Sequence, residues 1–178
     1  MSNQRNTVIY CSKALQNALK LTKADTVQQE LLQANDFYSW HGHIAKVDGR
    51  NVIVLMNDKT MYCMLFRNKL PRTASKFAEM VKKAIPYTFE VGNVNKSEID
   101  NYMAGLGDIV FAEKSDRQMT GNITRMILDM SYRWDFAWNE EETIQAYEAW
   151  EQNRRLRKIG KEYIVPFEEM LKALCEPF

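Results

Sequence analysis

The apolar positions of this chain fall into two kinds of pattern. Between residues 37 and 47 they alternate. Tyr38, Trp40, Gly42 and Ile44 share one side, and Ser39, His41, His43 and Ala45 the other, as a strand with two distinct faces requires. Asp48-Gly49 follows, a dipeptide suited to a two-residue hairpin turn. NVIVLMN at 51–57 and TMYCMLF at 60–66 are two more β-branched and apolar runs, separated by Asp58-Lys59. Together they predict a three-stranded antiparallel meander. TVIYC at 7–11 predicts a strand before it, and DIVFAE at 108–113 one after it.

Elsewhere the apolar residues recur at steps of three and four, the spacing of a helix face. Ser12 offers an N-cap oxygen to a helix carrying Ala14, Leu15, Ala18 and Leu19. Residues 22–35 read as a polar loop with one helical turn around Leu31-Leu32. Phe77, Met80, Val81 and Ala84 mark a helix over 73–85 that Pro86 is expected to stop, with 87–91 extended. A short helix opens at Ser97 and closes at Gly105 and Gly107. Ser115 with Gln118 forms a capping box for a long helix whose stripe is Ile123, Met126, Ile127, Met130 and Trp134. Asn139 with Glu142 resembles a second such box, opening a helix that runs to about Ile159 before Gly160. Pro166 starts a last helix, with Phe167, Met170, Leu171 and Leu174 on one face. The expected fold class is α+β: an antiparallel sheet built on the meander, packed by helices, with a C-terminal helical extension. A break near Asp135 divides the chain into an α+β domain, 1–134, and the extension, 135–178. Ile144, Tyr147, Trp150 and Leu156 point in several directions on a continuous helix, so the extension is expected to supply a contact surface rather than complete the core.

Two blocks of this pattern carry a resemblance. One runs from Trp40 to Tyr62: W-x-x-x-I, the hairpin turn with Arg50, then VIVLMN-x-x-T-x-Y. The other is Glu113-Lys-Ser-Asp-Arg-Gln-Met-Thr-Gly121, leading into the long helix. In this order they resemble an uncharacterised prokaryotic family, domain of unknown function 6933, over about residues 7–134. The resemblance implies no catalytic residues and is silent about the tail.

Composition narrows the class. A chain of 178 residues with 46% hydrophobic and 26% charged residues can bury a core, and it lacks the low-complexity bias of a disordered chain. No apolar run approaches the roughly 18 residues of a membrane span. The first fifteen residues hold too short an apolar stretch for a secretory leader, so a cytoplasmic protein without membrane association is expected. Cys11, Cys63 and Cys175 are far apart and odd in number, which predicts reduced thiols. The net charge is +1 but unevenly spread: 59–96 holds eight basic residues against two acidic, 97–151 twelve acidic against four basic, and 152–161 five basic and no acidic. Such polarity marks either an interaction surface or the solvated faces of separate elements.

Three constellations are candidates for chemistry. His41 and His43, at i and i+2 of a strand, share a face, and Cys63 on the same sheet offers a third metal donor. The spacing matches no structural zinc motif, however, and no bound metal or cofactor is expected. The start of the long helix, with Arg117, Thr120 and Gly121, suits an anion, although Asp116 would repel one. The basic-aromatic stretch Tyr147, Trp150, Arg154, Arg155, Arg157 and Lys158 suits a protein or nucleic-acid partner. Acid at the start and base at the end of one helix is also what compensation of the helix dipole produces. Nucleotide-binding glycine motifs, H-E-x-x-H and G-x-S-x-G are missing from the sequence. These features favour a non-enzymatic interaction protein that binds a protein or nucleoprotein partner. Phage- or plasmid-encoded inhibitors of host defence, anti-CRISPR proteins among them, are the model class. The alternative is a direct nucleic-acid-binding regulator of the antitoxin kind, using Lys82, Lys83 and the 154–161 cluster. A hydrolase or nuclease around His41, His43 and Asp116 has the least support.

Overall fold

A computed structural model describes residues 6–27, 35–113, 116–133 and 137–176. Leu31-Leu32, the Ser115 cap, Trp134 in the long-helix stripe and the boundary at Asp135 lie outside them. The chain runs β1 (Thr7–Cys11), α1 (Lys13–Leu19), a 3-10 turn (Asp36–Tyr38), β2 (Ser39–Val47), β3 (Arg50–Asn57), β4 (Cys63–Arg67), α2 (Ala74–Val91), α3 (Lys96–Gly105), β5 (Ile109–Ala112) and α4 (Arg117–Tyr132). It ends with α5 (Ala146–Asn153), a hairpin of β6 (Arg157–Ile159) and β7 (Glu162–Ile164), and α6 (Pro166–Cys175).

Five strands form one sheet in the order β4-β3-β2-β1-β5. β2, β3 and β4 pair antiparallel, but β1 is parallel to both β2 and β5. The sheet is therefore mixed, not the antiparallel one expected. The reason lies after Cys11: Ser12 accepts from the Leu15 amide at 3.3 Å, so α1 starts there. The strand–helix–strand path then returns the chain to begin β2 in the direction of β1.

Both faces of the sheet are covered. Ile9, Trp40, Ile53, Leu55 and Phe66 pack with Leu15 of α1, Phe77 and Val81 of α2, Tyr102 of α3, and Met170 and Leu174 of α6. On the other face Val52, Val54, Met56, Cys63 and Leu65 meet Met119, Ile123, Met126 and Met130 of α4 and Ala149 of α5. This explains why β3 reads as an unbroken apolar run: alternate residues enter different cores.

The helices depart from expectation at Pro86, which lies inside α2 rather than ending it. Proline removes one backbone donor, but the following turn is anchored by tertiary contacts. Phe89 is buried, the Thr88 hydroxyl donates to the Ala84 carbonyl at 2.7 Å, and the Tyr62 hydroxyl donates to the Thr88 carbonyl at 3.3 Å.

The tail also differs from a helical extension. Residues 143–145 lie along the β4 edge, with the Arg67 amide donating to the Thr143 carbonyl at 2.8 Å and the Gln145 amide to the Leu65 carbonyl at 2.9 Å. The Asn139 side chain does accept from the amides of Glu141 and Glu142, but the turn is not propagated into a helix. Gln145 Nε2 instead donates to the carbonyls of Asn139 and Glu142 at 2.8 and 2.7 Å, closing the turn before the chain joins the sheet edge. Only eight residues of helix follow, and Gly160, at φ +59°, turns a hairpin instead of ending a helix. Asn153, wholly buried, bonds both the amide and the carbonyl of Cys63, at 2.7 and 2.9 Å, in place of a neighbouring strand. The tail shares the core of the residues before it.

Close packing sets one prediction. A Cβ at Gly105 would stand 2.2 Å from the hydroxyl and 2.8 Å from Cζ of Tyr38, whose ring is buried against Tyr102. Alanine at a helical position gains about 1 kcal/mol over glycine. Overpacking against an immobile ring costs about 1–3 kcal/mol. Gly105→Ala should therefore lower the urea midpoint, and a midpoint raised by the substitution would show that Tyr38 yields.

Candidate functional site

The strand pattern places His41 and His43 on the α4 side of the sheet, and both rings end in polar contacts. Asn57, at the end of β3, builds the turn that supplies the first. Its Nδ2 donates to the carbonyls of Phe37 and Ser39 at 3.0 and 3.2 Å. Its Oδ1 accepts from the amides of Lys59 and Thr60 and from the Thr60 hydroxyl at 3.2, 3.1 and 3.0 Å. That clamp presents Asp58, whose carboxylate meets His41 Nδ1 at 2.6 Å with both side chains nearly out of solvent. His41 Nε2 is buried without a partner among the described residues. The His41 ring lies 5.1 Å from that of Tyr10, whose phenol is pushed up by burial first and by Asp58 and Asp36 second. His43 Nδ1 is 2.8 Å from Ser12 Oγ, and burial holds the His43 ring below the usual histidine range. Tyr10, Ser12, His41, His43, Thr120 and Thr124 surround a recess of about 40 Å³.

Ser12 is the residue that sequence reasoning missed here. It was legible as a helix cap, but 31 positions separate it from His43, and only the parallel pairing of β1 with β2 brings them together. Cys63 does not join the histidines. It shares their row, since His41 opposes Met56 and Met56 opposes Cys63, but β3 stands between them. Burial also pushes the Cys63 thiol up to about 12, which keeps it protonated. No group of three metal-ligating side chains occurs among the described residues.

At the start of α4 the cap is Asp116, whose carboxylate accepts from the amides of Gln118 and Met119 at 2.9 and 3.0 Å. The chain's own carboxylate thus fills the place where an anion would bind. Arg117 is exposed, Thr120 reaches the histidine recess, and the space beside Gly121 is open.

The basic-aromatic residues divide. On α5, Ala146, Ala149 and Asn153 face inward while Tyr147, Trp150 and Arg154 form an outward row. The rings of Tyr147 and Trp150 are 5.9 Å apart, and the Arg154 guanidinium lies 4.5 Å from the Trp150 ring centre. Arg155 is exposed, and Lys158 stands 6.0 Å from the Tyr163 ring. Arg157 does not belong to this face. It is buried, its guanidinium donating to the Gln152 side-chain oxygen at 3.1 Å, because β6 alternates and turns it into the core. Lys82 and Lys83 are exposed on α2. Lys83 borders an open groove of about 400 Å³ whose charged rim is balanced by Lys76, Glu79 and Glu142. Among the described residues no helix is long and apolar enough to cross a membrane.

The two sequence blocks that carry the resemblance meet at one place: His41 and His43 of the first and Thr120 of the second border the same recess. No curated protein matches the chain. A family model described as a domain of unknown function (DUF6933) matches residues 8–169, taking in most of the tail as well as the sheet, and the chain belongs to that family.

Proposed function

We propose that this protein is an interaction protein that docks a protein or nucleoprotein partner through α5 and the β6–β7 hairpin. The observation that carries the reading is the Tyr147–Trp150–Arg154 row, two tilted rings and a guanidinium over the half-buried Trp150, on the outer side of a helix whose other side is fixed in the core. Such residues supply large contact area with little loss of side-chain freedom, and they dominate measured binding hot spots. The exposure of apolar residues supports the same face. Of the six large hydrophobic side chains exposed among the described residues, three lie on α5, on β7 and between α5 and β6: Tyr147 at 59%, Tyr163 at 64% and Leu156 at 66%. Arg154, Arg155, Lys158 and Lys161 are exposed on the same stretch, Arg154 paired with Glu151 at 3.4 Å. A stoichiometric inhibitor, of the kind phages and plasmids carry against host defence, is one form that this function takes.

Trp150→Ala with Arg154→Ala tests it. Co-purification of a partner from nuclease-treated host lysate should survive high salt with the unaltered protein. It should weaken at least about 30-fold with the double variant, the effect of about 2 kcal/mol expected from a hot spot. Unchanged retention would remove α5 from the interface. A nucleic-acid ligand would reveal itself through affinity that falls steeply with salt.

A further inference from the structure

A second site lies on the sheet face that α4 covers. We propose that Ser12 is a nucleophile activated by His43, accepting small acyl groups from esters in the recess beside His41. Ser12 Oγ accepts the Leu15 amide at 3.3 Å, and its other polar neighbour is His43 Nδ1 at 2.8 Å. A hydroxyl within hydrogen-bond reach of an imidazole is the arrangement that nucleophilic catalysis requires. Burial keeps that imidazole neutral near pH 7, and neutral is the form that takes a proton.

His41 supplies the second, independent observation. Its Nδ1 meets the Asp58 carboxylate at 2.6 Å, which fixes the ring and leaves Nε2 as its other polar atom. That nitrogen is buried, on a side chain 6% exposed, and has no partner among the described residues. A buried polar atom left unpaired costs about 1–3 kcal/mol, which a ligand or water in the recess recovers. Tyr10 and the Thr120 and Thr124 hydroxyls of α4 border this space, and the carboxylates of Asp58 and Asp36 act on Tyr10.

The chemistry follows from these positions. Ser12 Oγ attacks the acyl carbon as its proton passes to His43 Nδ1. The ester C–O bond then breaks, and the departing alcohol oxygen takes that proton, leaving the acyl group on Ser12. Water then attacks the acyl carbon and loses its proton to His43. The carboxylic acid leaves, and the proton returns to Ser12. The recess limits the acyl group. A water needs about 10–15 Å³ in such a space, so about 40 Å³ holds about three heavy atoms, the size of an acetyl group.

The probe is p-nitrophenyl acetate with the full chain, read by nitrophenolate release. Ser12→Asn keeps a side chain that caps α1 well while removing the nucleophile, and His43→Gln removes the base without changing the fold class of the strand. Both variants are checked by thermal unfolding. Release should fall at least about 100-fold in each, the usual contribution of a positioned base. Release by the unaltered protein no faster than by Ser12→Asn would overturn the proposal. So would a His43→Gln variant that unfolds normally and keeps full activity.

Discussion

A chain ending at Asp135 will fail to fold cooperatively. The tail supplies Met170, Ala173 and Leu174 to the core on one face of the sheet and Ala149 to the core on the other. Removing a buried Met or Leu side chain costs about 2–5 kcal/mol, so Met170 and Leu174 alone approach the whole stability of an ordinary domain, about 5–15 kcal/mol. The polar losses add to this. Without residues 143–145 the Arg67 amide and the Leu65 carbonyl lose their partners, and without Asn153 the amide and carbonyl of Cys63 lose theirs. β4 would become an open, apolar edge strand of the kind that pairs with other chains. The shortened chain should therefore show no sharp urea transition, bind hydrophobic dyes and aggregate. A two-state transition with a midpoint near that of the full chain would show that residues 1–135 are a self-sufficient domain and that the tail is an arm.

The same contacts explain how much of the molecule could be read from its sequence. The alternation at 37–47 and the apolar runs at 51–57 and 60–66 were legible because each strand carries its own pattern, whatever packs on it. The α4 stripe was legible for the same reason at a different period, since Ile123, Met126, Ile127 and Met130 all face one sheet. The parallel placement of β1 was not, because nothing local in TVIYC says which way its neighbours run. At Pro86 the local rule was right about the lost donor and wrong about the outcome, since Phe89 and Tyr62 hold the next turn from a distance. The scattered apolar positions of the tail were a true signal read with the wrong element in mind. Ile144 pairs with Phe66 as an edge segment, Tyr147 and Trp150 lie on a short helix, and Leu156 and Arg157 flank and enter a strand. A single helix could not have aimed them so. The candidate sites repeat the lesson. The α5 row was visible as residue types, whereas the pairing of Ser12 with His43 depends on strand order and left no trace in spacing.

Asn57→Ala should be the most damaging single substitution among the polar residues of the site, lowering stability by about 2–4 kcal/mol. The side chain is wholly buried and makes five hydrogen bonds. The two carbonyls that it serves keep other partners, since Phe37 still accepts from the Tyr102 hydroxyl at 3.1 Å and Ser39 from the Asp58 amide at 2.9 Å. The donors do not fare as well: the amides of Lys59 and Thr60 lose the acceptor named for them, and for Thr60, which is buried, an unpaired donor is the costly kind of loss. Asn57→Asp distinguishes this account from simple loss of volume. It keeps the acceptor oxygen but turns a carboxylate toward two carbonyl oxygens in a buried place, so near pH 7 it should destabilise at least as much as alanine despite being almost isosteric. Urea denaturation of the three proteins measures both effects. The clamp also has a distant reading, because the turn it closes carries Asp58 to His41. Loosening it should free the His41 ring, seen as loss of the slowly exchanging Nδ1 proton in the imidazole spectrum under conditions where the variant remains folded. If Asn57→Ala unfolds less than 1 kcal/mol more easily and leaves that proton in place, the hydrogen bonds of Asn57 do not hold the turn, and the link between this turn and the histidine recess is broken.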